Sequence, residues 1–116
     1  MLNPQNWARN WVNAWNGRDL DTLLTCYADT IELRSPFAKV YSRDGVVRGK
    51  PALREYWGEV LRRLPVLEIT LVAVYSGHMA MTLHYRDNNG RNCLETILFN
   101  DQEQAIWETA CFDRLR

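Results

Sequence analysis

The chain has 116 residues and no excess of charge: fourteen Lys and Arg stand against fourteen Asp and Glu. A neutral chain lacks the basic footprint that binding to a nucleic-acid backbone requires, so no nucleic-acid partner is expected. Long apolar runs are also missing. The most apolar window, 64–75, is interrupted by Pro65, Glu68 and Thr70, and it is shorter than the roughly 20 residues of a membrane-spanning helix, so no membrane partner is expected. Met1 to Trp7 contain neither a basic nor an apolar leader segment, and a cytoplasmic protein is expected. Cys26, Cys93 and Cys111 are odd in number and far apart, without C-x-x-C spacing, which argues for free thiols in a reducing compartment. Histidine occurs only as His78 and His84, with no third ligand at recognisable spacing, so no metal is expected. Repeats, linkers and low-complexity stretches are absent, which predicts a single domain over 1–116.

What is present is periodicity. Asn3-Pro4 reads as a helix N-cap followed by proline at the first helical position. Trp7, Trp11 and Trp15 follow at spacing four along one helical stripe. Asn16-Gly17 predicts a left-handed end to that helix. Asp19 caps a second helix carrying Leu20, Leu23, Leu24 and Tyr27. The alternation Ile31, Leu33 against Glu32, Arg34 predicts a strand over 30–35, stopped by Pro36. Val46-Val47 is a short β-like piece. Gly49-Lys50-Pro51 opens a third helix with Leu53, Trp57, Val60, Leu61 and Leu64 on one face. The rest reads as four strands, near 66–76, 78–87, 91–100 and 105–113, with turns at Ser76-Gly77, Asp87 to Gly90 and Asn100 to Gln104. Three helices in the first half followed by an antiparallel meander predict an α+β fold, with helices on one face of a curved sheet and a cavity at its open mouth.

The stretches Trp11 to Asp21, Tyr27-Ala28-Asp29, Ser35-Pro36, Gly49 to Trp57 and Glu95 to Phe99 resemble, in order, the nuclear transport factor 2-like superfamily. That superfamily includes ketosteroid isomerases and SnoaL-type polyketide cyclases. The resemblance implies a cone-shaped α+β roll, three helices packed on a mainly antiparallel sheet, commonly a homodimer through the outer sheet face. It also implies a small-molecule pocket that needs no cofactor, since a carboxylate in an apolar cavity suffices for enol chemistry.

Residue by residue, the resemblance argues against ketosteroid isomerase activity. Where that branch has a donor Tyr on the first helix, this chain has Trp11, and where it has an Asp base before the proline, this chain has Ser35. An indole donates but does not titrate usefully, and a lone hydroxyl is a poor base. The second acid falls on Glu95. The cyclase branch needs one carboxylate with a nearby His. If Asn89-Gly90 forms a two-residue type I′ turn, His84 faces Glu95 across the hairpin and can orient it as acid/base. A three-residue turn puts His84 on the opposite face, and the isomerase-like alignment instead turns Leu83 and Tyr85 inward. Both registers stay open in the sequence. Trp11, Trp15, Tyr27, Ser35, Phe37, Tyr56 and Trp57 are the candidate pocket wall. Glu108 is a second pocket carboxylate if it faces inward; otherwise Trp107 and Cys111 line the cavity. An arginine in the pocket would signal an acidic substrate, although Arg34, Arg54 and Arg86 read as solvated or ion-paired. The expected ligand is a small apolar or aromatic carbonyl compound. The reading set beside catalysis is a non-catalytic dimeric binding or assembly module.

Overall fold

The computed structural model describes residues 2–115. Helix α1 (Pro4–Asn16) starts as its sequence dictates, with Asn3 Oδ1 accepting the Asn6 amide at 3.1 Å. Its end differs from the expected one. Gly17 is right-handed at φ −81°, and Arg18 is the left-handed residue, at φ 55°. The Arg18 and Asp19 amides close on Trp15 and Ala14 carbonyls in a Schellman arrangement. The Arg18 guanidinium reaches the segment that follows the third helix in the chain. It donates to the Leu67 carbonyl at 3.1 Å, the Leu64 carbonyl at 3.4 Å and the Pro65 carbonyl.

Helix α2 (Leu20–Leu24) is capped by Asp19, which accepts from the Thr22 amide. Tyr27 lies beyond it, at the start of strand β1 (Tyr27–Arg34), which therefore begins earlier than alternation alone predicts. A short 3₁₀ helix (Pro36–Val40) and strand β2 (Val46–Arg48) lead into helix α3 (Lys50–Arg63). Gly49 caps α3 at φ +88°, a conformation that asks for glycine.

Strands β3 (Ile69–Gly77), β4 (Ala80–Asp87), β5 (Asn92–Phe99) and β6 (Ala105–Phe112) complete one six-stranded sheet in the order β2-β1-β6-β5-β4-β3. Only β1 and β6 pair in parallel. The β3–β4 turn falls at His78-Met79, not at Ser76-Gly77, and Met79 takes the left-handed position at φ 49°.

The helices cover the inner face of this curved sheet, as the α+β expectation had it. Aromatic rings join the layers. Trp7 meets Phe99 edge-on at 5.3 Å, Trp15 meets Trp57 at 5.1 Å, and Tyr27 meets Trp57 at 5.2 Å. Edge-to-face contacts of this kind add to the large apolar area such rings bury. The tryptophan stripe of α1 is thus core, with Trp11 only 1% exposed. Asn16 locks α1 to the edge strand β3: its amide donates to the Ile69 carbonyl and accepts from the Ile69 amide, both at 2.9 Å. No described helix is long and apolar enough to cross a membrane.

Candidate functional site

The β4–β5 hairpin decides what faces the helices. Its turn is three residues long, not two. The Gly90 amide donates to the Asp87 carbonyl and the Asp87 amide to the Arg91 carbonyl, each at 3.0 Å, with Gly90 at φ +79°. This is a type I turn from Asp87 to Gly90 with glycine in the left-handed bulge position. The Asp87 carboxylate holds it by accepting the Asn89 and Arg91 amides.

The extra residue sets the register at Leu83↔Glu95, Tyr85↔Cys93 and His84↔Leu94. His84 therefore lies on the outer face, with Nε2 2.9 Å from Asn92 Oδ1, and it cannot orient Glu95. The expectation of a His84–Glu95 pair is corrected by turn length alone. Asp at the first and Gly at the fourth turn position are the sequence signal that points to this turn. Leu83, Tyr85, Cys93 and Glu95 face inward.

Glu108 also points inward, opposite Ile97, while Glu95 stands opposite Ala110. The two glutamates are thus diagonal neighbours on one face of adjacent strands, within reach of long side chains. They are 5% and 0% exposed, and the Glu95 charge bears on the Glu108 carboxyl. A relay backs them. Trp11 Nε1 donates to Tyr27 Oη at 2.8 Å, and Tyr27 donates to Glu108 Oε1 at 2.5 Å. Tyr85 donates to Glu95 Oε2 at 2.9 Å, with Cys93 Sγ 3.9 Å from the same oxygen.

Among the described residues Glu108 Oε2 has no donor, a costly state for a buried oxygen. A proton held between the two carboxyls supplies one. Burial, and then the Glu95 charge, push the Glu108 carboxyl well above its usual range. Burial raises Glu95 too, while hydrogen bonds from Glu108, Tyr85 and Cys93 favour its ionised form. Glu108 is accordingly the proton holder and Glu95 the first to ionise, as expected of two carboxyls sharing one site. Burial also raises the Tyr27 and Tyr85 hydroxyls well above the ordinary tyrosine value, so both stay protonated donors.

A cavity of about 930 Å³ lies between α3 and the inner sheet face, and Glu95 lines it. Trp11, Trp15, Ser35, Phe37, Tyr56 and Trp57 line it as well. Tyr27 and Glu108 do not: they are fully buried beside it, in contact with the lining residues Trp11, Trp57 and Glu95. Ser35 caps the 3₁₀ helix, its hydroxyl accepting the Phe37 amide at 3.2 Å. Arg91, Cys93 and Phe112 also line the cavity and carried no recognised signal in the sequence. Arg54 is at its rim, paired with Asp21 at 2.6 Å. Among the described residues no cluster of three or more His, Cys, Asp and Glu is placed to hold a metal ion.

Three helices on one face of a curved, mostly antiparallel six-stranded sheet define the class of small cystatin-like α+β proteins. Within it the chain belongs to the SnoaL-like domain family, which matches residues 8–114. It is similar to a SnoaL-like protein of unknown function from Burkholderia thailandensis E264. Identity to that protein is 34% over 96% of this chain and 95% of that chain, with a TM-score of 0.89. An NTF2-like protein of unknown function from Cytophaga hutchinsonii ATCC 33406 shares the fold at 10% identity, covering 97% and 92% of the two chains with a TM-score of 0.75. So does TerC, crystallised with polyporic acid, at 13% identity over 95% and 91%, with a TM-score of 0.78. A comparison with curated proteins finds no match.

Proposed function

We propose that this protein binds a small, mostly apolar, carbonyl-bearing molecule in the cavity, and that Glu95 acts on it as acid and base. The reaction class is a cofactor-independent isomerisation or cyclisation. The observation that carries the reading is the position of Glu95: buried at the cavity wall, beside Glu108 on the next strand, and held by the Tyr85 hydroxyl. A carboxylate desolvated in this way is a stronger base than one in water. It takes a proton from the carbon next to a carbonyl, and the C–H electron pair passes to the carbonyl as an enolate. The same carboxyl then returns the proton at another carbon. Trp15 Nε1, a buried donor with no acceptor among the described residues, sits on a ring that lines the cavity, and a ligand carbonyl would satisfy it. A neighbour of the same fold was crystallised with an organic ligand, which supports the ligand-binding half of the reading.

The test is deuterium exchange at the α-carbon of cyclic ketones in heavy water, followed by NMR. Glu95→Gln is expected to slow exchange about 10²–10⁴-fold, the usual contribution of a general base, while leaving ligand-induced stabilisation in place. A second reading, a non-catalytic binding module, draws on Trp11 and Ser35. Both occupy positions where isomerases carry functional groups, and both are spent on structure. Ligand-induced stabilisation without exchange in the unmodified protein would decide for it.

A homodimer through the outer sheet face belongs to the same proposal. Tyr75, Leu94 and Leu98 are exposed on that face at 60%, 45% and 39%, an apolar surface suited to a second copy of the sheet.

A further inference from the structure

Arg91 is placed as a ligand-binding cation. It precedes β5, and Arg91, Cys93 and Glu95 alternate along the chain so that all three line the cavity. Its guanidinium lies against an edge-to-face pair of aromatic rings from two other elements, Phe37 and Phe112, whose centroids are 4.7 Å apart. Arg91 Cζ lies 4.8 Å from the Phe37 ring centroid and 5.3 Å from that of Phe112. The Arg91 side chain is only 20% exposed.

Asp87, which also lines the cavity, anchors the guanidinium through Nε to Oδ2 at 3.1 Å. The Asp87 charge is shared, however, because Oδ1 also accepts the Asn89 amide at 2.9 Å and the Arg91 amide at 3.0 Å. Among the described residues neither Nη of Arg91 has an acceptor. The two Nη groups form the planar fork that grips a carboxylate through two parallel hydrogen bonds. A cation whose guanidinium rests against two rings, whose Nε is anchored and whose fork is unspent is preorganised for an anion.

We infer that Arg91 is the anion-recognition residue of the cavity and that the ligand is a carboxylate. This rests on the reading of the cavity as a ligand site and adds the charge of what enters it. The arrangement also fixes orientation. Four residues of extended chain separate Arg91 from Glu95, roughly 13 Å at the rise of a β-strand. A carboxylate is repelled at the Glu95–Glu108 end and attracted at the Arg91 end, so the carbonyl portion lies toward Glu95. The substrate class is then an aromatic or alicyclic keto acid, bound by its acid group and worked on at its ketone end. Asp87 acts as a positioning residue, holding the fork toward the cavity.

Titration calorimetry with 4-benzoylbenzoate and its methyl ester tests this on the intact protein. The unmodified protein is expected to bind the acid about 10- to 100-fold more tightly than the ester, the range for hydrogen bonds to a charged group. Arg91→Gln is expected to erase that preference while binding the ester as before, which also shows that the variant folds. Arg91→Lys, which keeps the charge and loses the fork, is expected to restore only part of it. Equal binding of acid and ester by the unmodified protein, a preference surviving in Arg91→Gln, or loss of both ligands in that variant would overturn the assignment of Arg91 alone. Failure of the unmodified protein to bind either probe would overturn the ligand-site reading and this inference together.

Discussion

Glu108 stands diagonally across from Glu95 on the neighbouring strand, and of the two only Glu95 lines the cavity. Tyr27 and Trp11 anchor Glu108, while Tyr85 steers Glu95. Under the proposed function, Glu95 is the member that meets a ligand and Glu108 the one that holds a proton.

The pair makes folding stability depend on pH in a direction opposite to that of ordinary ion-paired carboxylates. Both groups are raised above their usual value of 4.5 in the folded chain, so the folded state holds protons that the unfolded chain releases. Their contribution is therefore complete at low pH and declines as pH rises from the ordinary carboxylate range through the titration of the pair. Glu108→Gln places an amide where the protonated carboxyl stands, able to donate to Glu95 and accept from Tyr27. Urea unfolding between about pH 5 and 8 is expected to show a shallower loss of stability in this variant than in the unmodified protein.

Tyr85→Phe removes a donor that favours ionised Glu95. The Glu95 carboxyl is expected to titrate at higher pH than in the unmodified protein. Carbon-detected NMR of the side-chain carboxyl measures the shift directly. Any exchange activity should show its acid limb moved in the same direction.

Asn16→Ala deletes the side chain that satisfies both backbone groups of Ile69. Leaving that amide and carbonyl without their partner should cost about 1–3 kcal/mol, read as a lower denaturation midpoint.

Leu98→Arg places a charge on the exposed outer face of β5. Sedimentation equilibrium is expected to find a dimer for the unmodified chain and a monomer for the variant. A monomer at micromolar concentration in the unmodified chain would refute the dimer proposal.

Local chemistry in the sequence determined most of the architecture. Asn3-Pro4 and Asp19 started helices where capping chemistry predicts, and α3 opened at Gly49-Lys50-Pro51. The spacing of Trp7, Trp11 and Trp15 announced a buried helical face. Glu95 was legible through its resemblance to an acid on a central strand. These signals are local because capping, helical period and strand alternation each involve residues a few positions apart.

Tertiary structure alone decided the site. One extra residue in the turn from Asp87 to Arg91 turned His84 outward and brought Tyr85 to Glu95, because side chains alternate faces along a strand. The direction of Glu108 followed from how β6 registers against β5, and its nearness to Glu95 from the diagonal of that pairing. Phe37 and Phe112 meet each other and Arg91 only because the 3₁₀ helix, the end of β6 and the start of β5 come together. Periodicity sets which residues share a face. Register and strand order set which of those faces meet, and they depend on contacts between residues far apart in the chain.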